Sequence, residues 1–196
     1  MNIRLIGALG ALLTAMAATG VALSDHDREG RDDDHQGRHS GLRGWLPEGG
    51  DVAPVTNATY REQCGGCHLA YPPGLLPADG WRRVMGELTN HYGDDASLDA
   101  AASGEILAYL SANGADGSSR IRSRAFAAAP IPGEGPPRIT ETRYFQRKHD
   151  EVPLRLVRDN PGVGSFSRCE TCHGGAEQGR FDEDQVRIPG LGRWDD

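Results

Sequence analysis

Apolar positions along this chain recur at helical intervals in its middle third and lose their period afterwards. Trp81, Val84, Leu88 and His91 fall at i, i+3, i+7 and i+10, one stripe of a helix. Asp79 is placed to cap that helix, which the pattern carries to Tyr92 before Gly93 ends it. A further helix is predicted from Leu98 to Asn113, started by Asp99 or Ser103 and stopped by Asn113-Gly114. Ile106, Leu107, Tyr109 and Leu110 give it a broad apolar face. A shorter helix, Pro54 to Gln63, puts Val55, Thr59 and Tyr60 on one face with Cys64, and Pro54 suits its first turn. Between these elements, Pro72, Pro73 and Pro77 forbid a helix over Leu69 to Pro77 and predict an extended loop.

The remainder is less regular. Residues 116–138 are rich in Ser, Ala, Gly and Pro and are expected to be a linker. Thr140 is placed to cap a helix from Glu141 to about Glu151, on which Phe145 and His149 share a face. Leu154 to Val157 suggests a short strand, Asn160-Pro161-Gly162 a turn, and Phe166 to Cys172 a helical turn. At the other end, Met1 to Ser24 has the pattern of a secretory signal: Arg4, an apolar run from Leu5 to Ala18, then small residues. Asp25 to Gly50 is polar without apolar period and is expected to be a disordered leader, its His26, His35 and His39 solvated. The organisation expected is therefore 1–24 signal peptide, 25–50 leader, 51–115 first domain, 116–138 linker and 139–196 second domain.

Candidate chemistry changes this picture. Cys64-Gly65-Gly66-Cys67-His68 and Cys169-Glu170-Thr171-Cys172-His173 both read C-x-x-C-H, the attachment signal for c-type haem, and they use all 4 cysteines. The two thiols of each motif would add to the two vinyl groups of one porphyrin, and the His would aim a ring nitrogen at the iron. A dithiol redox pair would need a thioredoxin-like βαβ context, which the pattern lacks. Tetrahedral zinc knuckles normally lie closer in sequence than these two motifs. Short C-x-x-C disulfide loops would be poor staples. Composition agrees with a large cofactor. Only 37% of residues are hydrophobic and 6% aromatic, a thin core unless something flat and apolar fills it. The net charge of -7, more negative once Arg4 is removed, gives no sign of nucleic-acid binding and suits a redox partner with a basic docking patch.

Two further ligands are sought. His91, on the apolar stripe, is the candidate for the distal side of the first haem, with Met85 the competitor. A carbonyl near Tyr71 to Pro73 is expected to accept the Nδ1 hydrogen of His68. His149 is the only other histidine in the second half and is the candidate partner of His173, with an open sixth position as the alternative. Gly174, Gly175 and Gly179 are expected to keep the backbone close to the porphyrin.

Tyr60 to Pro77, with its first motif and proline-leucine loop, resembles the first haem segment of the small periplasmic dihaem cytochrome c family. Trp81 and His91 to Leu98 resemble that family's distal segment, and Ile139 to Thr142, His149 and the second motif its second half. The resemblance implies a mainly α fold: a class I cytochrome c-like helical domain, then a small haem-stabilised domain with little regular secondary structure. It implies two covalently bound haem c groups, on Cys64 and Cys67 and on Cys169 and Cys172. It implies two His ligands per iron, His68 with His91 and His173 with His149. The activity implied is electron transfer in the periplasm, not enzymatic catalysis, at low potential since no Met ligates. Partners implied by the family are a membrane b-type cytochrome or an oxygen-binding monohaem c-type protein. The rival expectation is a haem enzyme or gas sensor with one exchangeable sixth ligand.

Overall fold

The computed structural model describes residues 51–131 and 133–194. The signal and leader expectations, with His26, His35 and His39, lie outside the described residues. Five α-helices and one two-stranded sheet are present among the described residues, joined by 3-10 turns. The fold is mainly α, as expected.

Helix α1 (Ala58–Cys64) starts where the Asn57 side chain accepts from the Tyr60 amide at 2.6 Å, several residues later than the sequence suggested. It runs straight into the first motif. Helix α2 (Ala78–Gly86) is shorter than its stripe predicted. Asp79 does not cap it; the Ala78 amide donates to Asp116 Oδ1 at 2.8 Å, a cap supplied from beyond the next helix. Helix α3 (Ala100–Ala112) is capped by Asp99, which accepts from the Ala101 and Ala102 amides. It packs on α2 and α1, and its Tyr109 ring lies 5.8 Å from that of Tyr60. Tyr60, Leu76, Trp81, Val84, Met85, Ile106 and Leu110 form the buried cluster here.

The proline-rich loop folds as a buried 3-10 turn, Pro73–Leu75. A buried loop is tolerable only if its polar backbone finds partners. Here Tyr60 Oη donates to the Tyr71 carbonyl at 2.9 Å and Trp81 Nε1 to the Pro73 carbonyl at 2.7 Å. The Ala115 amide donates to the Leu76 carbonyl at 2.8 Å.

Within the stretch expected to be a linker, Ile121–Ala127 form helix α4 and bury Phe126. The Ser/Ala/Pro composition hid this element, because its apolar anchor is one residue. Helix α5 (Arg143–His149) is capped by Thr142, not Thr140, and ends at His149. Leu154–Leu156 is a 3-10 turn instead of a strand, and Cys169–Thr171 is another. The tail carries the sheet: β1 (Arg187–Ile188) runs antiparallel to β2 (Gly192–Arg193). Val52, Leu75, Phe126, Phe145, Ala176 and Phe181 form a second buried cluster that draws on both halves of the chain. Val157, Val163 and Ile188 form a small third. Gly179, at φ 72°, lies where a Cβ would strike the Val52 carbonyl, and its own carbonyl accepts from the Val52 amide at 3.1 Å. Its close approach is to residue 52.

Candidate haem sites

His68 leaves α1 through its motif and lies half-buried. Its Nδ1 hydrogen-bonds to the Leu69 carbonyl at 2.7 Å, not to residues 71–73, whose carbonyls accept from the Tyr60 hydroxyl, the Leu75 amide and Trp81 Nε1 in turn. As Nδ1–H donor, His68 keeps the Nε2 lone pair free to ligate. His91 faces it with ring centroids 6.3 Å apart and planes 17° from parallel. His91 does not stand on a helix. The stripe that predicted one breaks at Gly86, and a 3-10 turn over Leu88–Asn90 delivers His91 to a tight reversal. There the His91 amide donates to the Asp94 carbonyl at 2.7 Å, while Tyr92 (φ 58°) and Gly93 (φ 112°) take the positive values such a turn requires. Tyr92 is pinned there, since its hydroxyl donates to the Pro137 carbonyl at 2.6 Å and the Arg138 guanidinium lies 4.2 Å over its ring. Met85 is buried in the cluster of α1 to α3.

In the second half, His149 Nδ1 hydrogen-bonds to the Phe145 carbonyl at 2.9 Å, and the Phe145 ring stacks on its ring at 3.9 Å. His173 lies opposite, with centroids 6.2 Å apart and planes crossed at 76°. A cavity of about 260 Å³ between them is lined by Phe145, Val157, Val163, Phe166, Cys169 and Cys172, among others. A water needs only about 10–15 Å³ of such space, so the cavity suits a far larger, apolar group.

The residues fit a haem at each site. Two imidazoles that held one metal between them, at about 2.0–2.1 Å per metal–nitrogen bond, would have ring centroids roughly 6 Å apart. Both pairs have that spacing. It also separates the histidines by site, with His91 beside His68 and His149 beside His173. Burial lowers the pKa of His91, and of His149, and takes His173 down to about 4, so these rings are neutral donors at pH 7. His91 and His173 keep a buried Nδ1 with no partner. Burial pushes the Cys64 thiol up to about 11 and the Cys169 thiol up to about 12, opposite to the depression a redox-active dithiol needs. No three His, Cys, Asp or Glu side chains gather as a metal site among the described residues, so the four cysteines do not meet as a zinc knuckle.

Residues 60–181 match the family model for dihaem cytochrome c. The chain belongs to the dihaem cytochrome c family. The X-ray structure of a dihaem cytochrome c from Shewanella baltica OS155 is 50% identical, with a TM-score of 0.60, the match covering 71% of this chain and 98% of that one. The dihaem cytochrome c from Rhodobacter sphaeroides is 43% identical, with a TM-score of 0.57, over 66% of this chain and 100% of that one. No curated protein sequence matches. As a dihaem cytochrome c, the protein carries two covalently bound haem c groups, for which its two C-x-x-C-H motifs hold the cysteines, and it is a haem-based electron-transfer protein.

Two contributors to these sites escaped the sequence reading. Tyr71 was noted only for its carbonyl, yet its ring lies 4.8 Å from the His68 ring. Its place three residues after the motif histidine was the available signal. Arg122 lines the cavity between His149 and His173, paired to Asp51 at 3.2 Å and donating to Tyr144 Oη at 3.0 Å, with its Nε buried and unpartnered. Nothing in the sequence marks it, because it rides on the helix hidden in the expected linker.

Proposed function

We propose that this dihaem cytochrome c is a periplasmic electron carrier with each iron held between two imidazoles. Cys64 and Cys67 carry the first haem, ligated by His68 and His91. Cys169 and Cys172 carry the second, ligated by His173 and His149. The observation that supports this best is the common 6.2–6.3 Å spacing of the two imidazole pairs. Haem iron bound at these sites supplies a one-electron couple between ferric and ferrous. The chain's own part is to hold both ligands fixed, so that little moves when the charge changes. Carbonyl-bound Nδ1 atoms orient His68 and His149, and buried apolar walls exclude water. Without a Met ligand both potentials are low. The signal pattern of Met1 to Ser24 supports export, where a membrane b-type cytochrome or an oxygen-binding monohaem c-type protein is the partner class.

Low-temperature magnetic resonance of the ferric protein tests the ligation. The planes of trans imidazoles set the splitting of the iron orbitals. The near-parallel first pair gives a rhombic low-spin signal and the crossed second pair an axial one with a single large g value. A high-spin signal at rest, or rapid full binding of carbon monoxide on reduction, would instead establish an exchangeable sixth ligand and the enzyme or sensor reading.

A further inference from the structure

Arg122 stands at the second position of α4, and Phe126, one turn on, shares its face and lines the same cavity between His149 and His173. The Arg122 side chain is 18% exposed. Both terminal nitrogens of its guanidinium are engaged: one pairs with Asp51 Oδ2 at 3.2 Å and the other donates to Tyr144 Oη at 3.0 Å. Asp51 Oδ2 also accepts from the Phe181 amide at 2.8 Å. The Nε–H of Arg122 is buried and has no acceptor. Three other cations line this cavity among the described residues, and all three are exposed. Lys148 pairs with Glu183, Arg168 with Glu170, and Arg147 lies 5.3 Å over the Tyr144 ring.

We propose that Arg122 holds a propionate of the second haem through Nε and raises that haem's reduction potential. This rests on the second haem lying between His173 and His149, as proposed above. A guanidinium carries five N–H donors, no acceptor, and a charge it does not lose. A buried donor without a partner is costly, so the site is built for an acceptor that arrives with its occupant. Moving Asp51 onto Nε would give up the Phe181 amide. The walls nearby, Phe126 and Phe145, offer no side-chain acceptor. The oxygen acceptors that a haem c brings are its two propionate carboxylates, and a carboxylate takes a charge-assisted bond from guanidinium. A fixed positive charge beside the haem favours the ferrous state, which carries one positive charge fewer on iron. Arg122 therefore pushes the second potential up, and Asp51 opposes it from the other end of the guanidinium.

The test uses the full dihaem protein. Arg122→Met removes the charge and every donor, and Arg122→Lys keeps the charge. Asp51→Asn leaves Arg122 in place and removes the opposing anion. Both midpoint potentials, the propionate-bending bands in resonance Raman spectra and the melting temperature are measured, each potential being assigned by the ferric resonance that disappears with it. In Arg122→Met the second potential is expected to fall while the first stays, and one propionate band should move to the position of a carboxylate without that hydrogen bond. Arg122→Lys should recover part of the potential. Asp51→Asn should raise the second potential with the propionate bands unmoved, and it carries the test if Arg122→Met does not retain its second haem. A lower melting temperature in Arg122→Met with both potentials and all propionate bands unchanged would make Arg122 only a tie between α4, Asp51 and Tyr144, and would overturn the proposal. An unmoved second potential in Asp51→Asn would overturn it too. Ferric spectra of the same samples separate this failure from failure of the ligation reading: a low-spin second site retains the latter, and a high-spin one removes it.

Discussion

In the first site both histidines sit on turns, and the turns are braced by three helices with a continuous buried cluster beneath them. In the second, His149 stands at the last position of a seven-residue helix and His173 follows a single 3-10 turn; only three buried residues form a cluster of this half's own, and the larger one it uses, through Phe145, Ala176 and Phe181, is shared with the first half. The imidazole spacing is nevertheless the same, while the ring planes differ, 17° against 76°. A common spacing is what two imidazoles would need if each pair held one metal between them. Plane angle is left to whatever backbone happens to carry each ring. The comparison teaches that the first half can form its site around an existing core, whereas the second must be completed by its cofactor, since so small an apolar core does not stand alone.

The sharpest way to break that comparison is to remove one attachment at a time. Replacing Cys169 and Cys172 with Ala is expected to abolish amide protection across residues 139–194 while α1 to α3 keep theirs, read by hydrogen exchange. The matching change at Cys64 and Cys67 should leave a weakened but helical first half. Equal collapse in both variants would end the distinction. Trp81→Ala probes the self-sufficient core. Trp81 is 4% exposed and donates to the Pro73 carbonyl, so the loss should be about 3–5 kcal/mol in denaturant unfolding.

Acid is expected to act more gently, and mainly on the second half. His173 and His149 have folded pKa values lowered by burial, so the unfolded chain takes up protons first. Stability is therefore full above the unfolded value of about 6.5 and falls as pH drops below it. Burial takes His173 down to about 4, and iron held at its free ring nitrogen would compete with the proton and carry the loss to still lower pH. Circular dichroism and haem absorbance against pH should show the second site changing over this window, with His91 adding the same sign at the first. The smallest effect compares the two caps. Thr142→Ala and Asp99→Ala should each cost about 1 kcal/mol. The first should loosen His149 and alter the second haem's spectrum, whereas the second should change stability only, because α3 bears no candidate ligand.

The helices were legible wherever a period and a cap coincided, as at Asp99 with Ile106 and Leu110. They were misjudged where a distant residue intervened. Asp116 caps α2, and no local pattern could announce it. His91 lay on a regular stripe, yet the chain leaves the helix at Gly86 and reaches the same side of the site by a turn. Helix α4 was missed because one buried phenylalanine gives no period to detect.

By itself the sequence determined the cofactor class and number, through two C-x-x-C-H motifs that leave no cysteine over, and it named the four candidate imidazoles. These are local properties, since a two-residue gap and an adjacent histidine are covalent facts. Which imidazole faces which, and at what angle, were decided only by tertiary structure. Those relations join residues far apart in the chain, and they depend on packing and backbone hydrogen bonds that no short window of sequence contains.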